Sequence, residues 1–547
     1  MRTVASQQEV AQSRVSSLAG PLILLAVAVL LAAISRRAVI HIARWSDSYA
    51  FVMVLLAFAG AIAFRFVRWR DFTPPLRVIA FAIGMTIFVQ HLFDSLGPYP
   101  GPPNVLFGNP GDKVLFFRYG ALIGIVGGLL GIWRPAFLIP LFFAYLSWRE
   151  VISVFAGIFV TETDYLGMLD VGYFSVLGVL TTICLTSPWT LERVAWLRRT
   201  MVAPDGIEAL RHRAYGLIWA CGVGAHLGSY FWSGMAKLQA GMPKPWTWLF
   251  ENPTQIAILF GLERGDAALY AWPRALQFVW DTIVDYQLLF NVFVLGSQLL
   301  SPLAGFSTRV LSAFCLLFDA FHVGVYFTLG AVFLFWILLN LFIVAAARTL
   351  PRDGFTPAMK VVLIVSVFAG RFFFYTNYLG WLDGAKLASP QFFVETRDNR
   401  QILAPSTYFG IFSYMIAAGA MHIPDNHFRL RVGGNNRDLD SWYDALSCGP
   451  EVIEHPENRV TMESVETLVR RTDRFFRANE WVKDTNVFYV YPHHMLSNPW
   501  MYPEFNKLRM DDIVAYHYVV DSVCLGLKDG RLTRDVRKRT DVRIDPR

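Results

Sequence analysis

Four ionisable residues set inside apolar sequence carry the chemistry that can be argued for this chain: His226, Lys237, Asp319 and His322. The first two share the apolar stretch 214–238, where ionisable side chains are costly and tend to mark function. Eleven helical residues put them on neighbouring faces about three turns apart, so they can bracket one cavity without touching. A lysine at an apolar boundary loses hydration, and a neutral amine there can act as a general base. Asp319 and His322 lie in the apolar stretch 310–329. Three residues apart, they share a helix face and can pair or pass a proton. Plainer readings stand beside these. Lys237 can snorkel to the headgroups, and His226 alone can be a satisfied interhelical residue. His91 and Asp94 read by default as a solvated pair at a span end. Asp319 with His322 is harder to reduce to packing, because two ionisable groups within one span are rare.

The elements that must position these residues are membrane-type helices. The chain has 547 residues, 54% hydrophobic and 17% charged, with a mean hydropathy of +0.40. A soluble chain of this length carries about a quarter charged residues. The apolar residues also fall into runs near bilayer-spanning length: 17–35, 49–64, 77–96, 114–133, 171–187, 214–238, 283–300, 310–329, 331–347 and 361–378. The runs 136–148 and 408–421 are shorter. The expected fold is an all-α polytopic membrane bundle of about 10–12 spans. A polar, disordered N-terminus is expected over 1–15, the bundle over 16–425, and a small α+β extramembrane domain over 426–547. In that domain 461–482 carries a helical apolar stripe and 486–491 reads as a short strand before His493-His494. The stretch 381–400 reads as a polar loop. Within 241–281, the apolar middle 254–262 is too short to span and reads as a re-entrant or interfacial lid.

Net charge is +7, and its distribution orients the bundle. Basic clusters at 65–70, 193–213 and 348–360 read as cytoplasmic, and the basic-poor loops 97–112 and 150–170 as external. That puts Lys237 at the external end of its helix. Arg36, Arg37 and Arg44 break the pattern, since they fall in a loop this scheme places outside. The side of 426–547 depends on whether 408–421 spans. The basic residues are loop anchors with no stacking aromatics among them, which excludes a nucleic-acid partner. The five cysteines are scattered, three of them in apolar runs, so neither a disulfide framework nor a metal site is expected.

The segment Tyr230-Phe231-Trp232-Ser233-Gly234-Met235-Ala236-Lys237-Leu238, followed by the Trp-rich loop 242–248, resembles the vitamin K-dependent gamma-carboxylase and its bacterial relatives. These share the horizontally transferred transmembrane (HTTM) domain. A second matching block is Phe321-His322 with Leu329-Gly330, Phe333, Trp336 and Leu339. The resemblance covers roughly 49–347. It implies a lyase-type membrane enzyme in which Lys237 is the base that starts oxygenation of a reduced, vitamin K-like quinone. The epoxide-forming step yields a strong base that takes a proton from a glutamate, so that carbon dioxide adds. His322, Asp319 and His226 would position or shuttle protons, and Tyr230, Trp232, Phe321 and Trp246 would hold the quinol. Ala236 stands where the family usually has a second lysine, and 426–547 has no recognisable counterpart of the animal enzyme's substrate-binding regions. The expectation is a multi-pass cell-membrane enzyme whose partners are the bilayer, a lipid-soluble quinol and an unidentified protein or small-molecule substrate. Two other readings remain open: a transporter with an intramembrane ion or proton path, and a scaffold or maturation factor that binds a partner through 426–547. The absence of an internal repeat counts against the transporter.

Overall fold

The structure, a computed structural model, describes residues 4–96, 120–156, 164–201, 206–240, 244–331, 333–351, 354–376, 378, 384–409, 421–428, 448, 460–478 and 498–546. The apolar runs fold as helices: α1 (Val4–Trp45), α2 (Asp47–Ala63), α3 (Pro74–Leu96), α4 (Ala121–Trp133), α5 (Leu138–Ala156), α6 (Asp164–Leu185) and α7 (Gly206–Ala240). Then come α8 (Thr247–Glu251), α9 (Ile256–Arg264), α10 (Pro273–Asp285), α11 (Gln287–Leu299), α12 (Thr308–Leu329), α13 (Leu334–Ala347) and α14 (Pro357–Ala369).

Among the described residues, four helical stretches are long and apolar enough to cross a membrane: Leu18–Trp45, Pro74–Leu92, Leu166–Leu185 and Thr308–Leu329. A fifth is reached if α10 and α11, bent by 80° at their junction, count as one broken span. By length and composition these described helices supply four to five candidate spans, against the expected 10–12. Several apolar runs, such as α2, α4 and α13, fold as helices of fewer than 18 residues. The bend comes at Tyr286, whose φ of −116° and ψ of 27° lie outside the helical region.

α7 is the axis of the bundle and packs along α14, α6, α1 and α11. Its glycines allow the closest approach. A Cβ on Gly228 would stand 2.8 Å from the Val367 carbonyl, and one on Gly224 would collide with that of Leu363. Small residues at helix crossings bring backbones together in this way.

The arginines that broke the charge pattern are not in a loop. α1 runs unbroken to Trp45. Arg36 lies 2.7 Å from the buried Asp170 of α6, and Arg44 lies 2.7 Å from the buried Glu150 of α5. A buried carboxylate is costly without a partner, so these two arginines answer to the bundle interior rather than to membrane sidedness.

The C-terminal unit is an antiparallel sheet of order β2-β1-β3-β4, formed by β1 (Lys386–Thr396), β2 (Gln401–Ala404), β3 (Ile513–Lys528) and β4 (Arg531–Ile544). The unit therefore begins at Lys386 rather than at 426, and the stretch expected to be a polar loop holds its second central strand. α15 (Met462–Ala478) places Val465, Leu468 and Val469 in the sheet core. Tyr408 and Met421, the two ends of the doubtful run 408–421, lie in that same core. Residues 410–420, the stretch 486–491, His493-His494 and the side chain of Asp94 lie outside the described residues. A second correction concerns cysteine. Cys448 is disulfide-bonded to Cys524 of β3, with Cα atoms 5.8 Å apart across 76 positions of sequence. Cys184, Cys221 and Cys315 are free thiols.

α9 joins the two parts. Ile256, Ala257, Leu259 and Phe260 pack with Leu329 at the end of α12 and with Leu387, Val523 and Leu525 of the sheet. The segment expected as a lid is thus a buried wedge. Its last turn carries Glu263, which accepts from Ser389 Oγ at 2.5 Å and from Arg534 through both oxygens at 2.9 Å. Arg534 also reaches the buried Asp521 at 2.9 Å.

Candidate functional site

Three helices converge on one side chain, Asn340 of α13, which is fully buried. Its Nδ2 donates to Asp319 Oδ1 of α12 at 2.7 Å and to Tyr230 Oη of α7 at 3.0 Å. Those two bonds fix the amide's orientation, leaving Oδ1 to face His226 Nε2 at 2.9 Å. A carbonyl oxygen only accepts, so Nε2 of His226 carries the proton. Tyr230 Oη accepts from Asn340 and shares a second hydrogen bond with His322 Nε2 at 3.0 Å, whose donor depends on the His322 tautomer. The bonds join His226, Asn340, Tyr230 and His322 in one connected network, with Asp319 as a branch.

Helical spacing makes this possible. His226 and Tyr230 are one turn apart on α7, and Phe318, Asp319 and His322 share a face of α12. Packing holds the rings. Tyr230 is stacked on Phe318 with centroids 3.6 Å apart, and the Trp336 ring stands edge-on to it at 5.3 Å. His226 Nδ1, Asp319 Oδ2 and Trp336 Nε1 are buried atoms without a hydrogen-bond partner among the described residues. A buried polar atom left unpaired costs about 1–3 kcal/mol, so these three are places where a ligand's polar groups would be welcome.

Lys237 is buried two turns further along α7. Its Nζ lies 3.4 Å from the Ser233 carbonyl and 5.6 Å from the centroid of the Trp248 ring. Seven residues of helix separate it from Tyr230, about 10 Å along the axis on nearly the same face. Phe321, beside His322, packs against the apolar cluster of Trp248, Ala240, Val294 and Leu295, which links the two groups. The structure therefore gathers His226, Tyr230, Asp319, His322, Phe321 and Lys237 along one side of α7. It does not bring Trp232 or Trp246 there. The Trp232 indole donates to the Phe368 carbonyl at 3.2 Å and lies under Arg371, while Trp246 is exposed and the buried indole of its loop is Trp248. Sequence reasoning missed Asn340. Its signal was present, a lone amide in the otherwise apolar helix Leu334–Ala347.

His91 is fully buried against Tyr145 and Trp148, with centroids 5.6 and 6.2 Å away, rather than solvated. A cavity lies outside the bundle, between α9 and β1, lined in part by Phe260, Arg264, Gln391, Leu403 and Tyr502. Among the described residues no group of three or more His, Cys, Asp or Glu side chains is placed to hold a metal ion.

The sheet carries the titratable groups outside the bundle. His517 sits between Glu395 at 2.9 Å and Asp541 at 2.7 Å. Hydrogen bonds from Arg543 and His517 hold the Glu395 carboxyl below its ordinary range. Burial pushes His427 down to about 4, with Lys538 adding to the shift. Its ring lies between Ser522 Oγ at 2.9 Å and Thr540 Oγ1 at 2.8 Å. Burial raises the Glu263 carboxyl, and Arg534 opposes that rise.

No protein-family model, no curated protein and no solved structure matches this chain.

Proposed function

We propose that the chain is a multi-pass enzyme of the cell membrane that oxygenates a lipid-soluble quinol, with Lys237 as the base and Tyr230 and His322, held in place by Asn340, as the proton relay. The observation that carries this reading is the buried hydrogen-bond network of His226, Asn340, Tyr230, Asp319 and His322, two members of which lie on the same helix as Lys237. In the reaction a reduced naphthoquinone gives up four electrons in all to dioxygen, and its two phenolic protons go to the water formed. One oxygen atom enters the quinone ring as the epoxide and the other leaves as water. Lys237 takes the first phenolic proton. Tyr230 and His322 can relay a proton by exchanging their hydrogen bond, as neutral hydroxyl and imidazole groups do. Carboxylation of an acceptor carbon is the family-like second half of the cycle, and its acceptor is a protein or a small molecule.

Two observations support an external site. The basic clusters lie at the Gly206 end of α7, where a Cβ on Gly216 would stand 3.2 Å from Met359, at the start of α14. The sheet lies beyond the opposite end, through α9 and the contact of Gly530 with Pro273. Disulfides persist in oxidising compartments, and the Cys448–Cys524 bond belongs to that sheet unit.

The reading is tested by oxygen uptake in proteoliposomes supplied with reduced naphthoquinone. Wild type is expected to consume oxygen in a quinol-dependent manner, and Lys237→Ala to fall to the protein-free background. Equal uptake by both proteins removes Lys237 from the mechanism.

A further inference from the structure

We infer that Arg37 and Arg371 form a binding site for a phosphate monoanion, supplied by an anionic lipid headgroup, at the rim of the bundle on the Trp232 side of α7. The inference rests on the membrane reading above but concerns none of the residues assigned to the reaction.

The short 3-10 turn Gly370–Phe372 bears Arg371 and receives Arg37 on its last carbonyl. Arg371 holds its Cζ 4.1 Å above the Trp232 ring, 5.5 Å from the Tyr378 ring and 5.9 Å from that of Phe372. The indole beneath it is fixed by the bond to the Phe368 carbonyl. From α1, Arg37 donates through Nη2 to the Phe372 carbonyl at 3.0 Å. Both arginines are exposed, and neither forms an ion pair among the described residues. The contrast with Arg36, one residue away and paired with Asp170, is direct. The bundle neutralises one of two adjacent charges and leaves the other.

Two cations brought to one turn repel each other unless an anion joins them. A guanidinium held over an indole by its Cζ can still offer N–H groups to the oxygens of a phosphate, with a planar fork that a lysine lacks. Arg37 uses one N–H on a carbonyl and keeps the others. The height also suits a headgroup. From Ala214, where its apolar stretch begins, α7 climbs about 27 Å to Trp232 at 1.5 Å per residue, close to the far edge of a hydrocarbon layer of about 30 Å. Exposed Phe372 and Phe373 flank the site, at 61% and 42%, as aromatic residues do at a membrane boundary. Simple snorkelling would need charge alone, whereas a phosphate site needs the arginine fork.

The test uses the full chain in nanodiscs of mixed phosphatidylglycerol and phosphatidylcholine. Resistance to carbonate extraction is established first, so a failure of the membrane reading is seen separately and takes this site with it. Lipids retained after transfer to detergent are then counted by native mass spectrometry. Wild type is expected to keep one phosphatidylglycerol that the double variant Arg37→Gln/Arg371→Gln loses, with retention lower on the order of tenfold. Arg37→Lys/Arg371→Lys is expected to stay well below wild type. Equal retention by wild type and the Gln variant overturns the proposal, and full rescue by lysine replaces it with snorkelling. An arm with inorganic phosphate distinguishes the source. Failure to displace the lipid assigns the site to a headgroup with its acyl chains. Displacement overturns the lipid assignment in favour of free phosphate.

Discussion

Asn340 settles what the surrounding residues can do. With both Nδ2 hydrogens and Oδ1 committed, it fixes the protonated nitrogen of His226 and holds the Tyr230 oxygen and the Asp319 carboxylate in place. Asn340→Leu keeps the volume but strands Asp319 and His226, so it is expected to destabilise the bundle by about 2–4 kcal/mol, the cost of one or two buried unpaired groups. Thermal unfolding in detergent measures this. Lys237→Met keeps the apolar stem and is expected to leave the unfolding temperature unchanged while removing turnover. His427 predicts a pH dependence whose sign is fixed. Its folded pKa lies below that of the unfolded chain, so the unfolded state binds the proton first as pH falls. Stability of the sheet unit is full above about 6.5 and declines as pH falls toward about 4. Unfolding followed against pH checks this, and His427→Gln is expected to flatten the profile across that interval. At this scale much of the site was legible, because charges inside apolar runs are conspicuous. Asn340 was less visible, since an uncharged amide barely alters the hydropathy of its helix.

Among the elements, α9 decides how sheet and bundle meet. Its buried Glu263 is tied to Arg534, and through it to Asp521. Removing one member of such a set leaves buried charge uncompensated, so Glu263→Ala is expected to cost about 3–5 kcal/mol. Glu263→Gln/Arg534→Met is expected to cost less than the sum of its single changes. A double-mutant cycle on chemical unfolding measures the coupling. Gly224→Val is expected to separate α7 from α14 and abolish folding, because the added side chain meets backbone that cannot yield. Helices were readable from run length, whereas β1 was not. Pro390 interrupts it, and proline argues against an interior strand. Pro390 falls outside the four residues of β1 that β2 pairs, Phe392–Glu395, so the strand tolerates it. Its main partner, β3, lies more than a hundred residues away in sequence, and no local pattern announces so distant a pairing.

For the whole molecule, sidedness unites the account. Basic loops at one end and a disulfide-bonded sheet at the other predict that the sheet faces an oxidising compartment. A maleimide reagent of high mass is expected to add two labels after reduction, at Cys448 and Cys524, and neither before it, in a chain whose three other cysteines are replaced by serine. Labelling without reduction contradicts the disulfide. Of the three arginines that break the positive-inside pattern, Arg36 and Arg44 neutralise buried carboxylates, while Arg37 stays exposed. Length was the less readable quantity. Apolar composition does not reveal where a run will bend, as it does at Tyr286, or stop short of eighteen residues.

The central claim is quinol oxygenation with Lys237 as its base, and one measurement reaches it directly. Membranes carrying wild type or Lys237→Ala are supplied with a reduced naphthoquinone and oxygen, and quinone epoxide is measured by chromatography. The account predicts epoxide from the wild type and none from the variant. Folded wild-type protein that yields no epoxide, or a variant that yields as much as wild type, contradicts it.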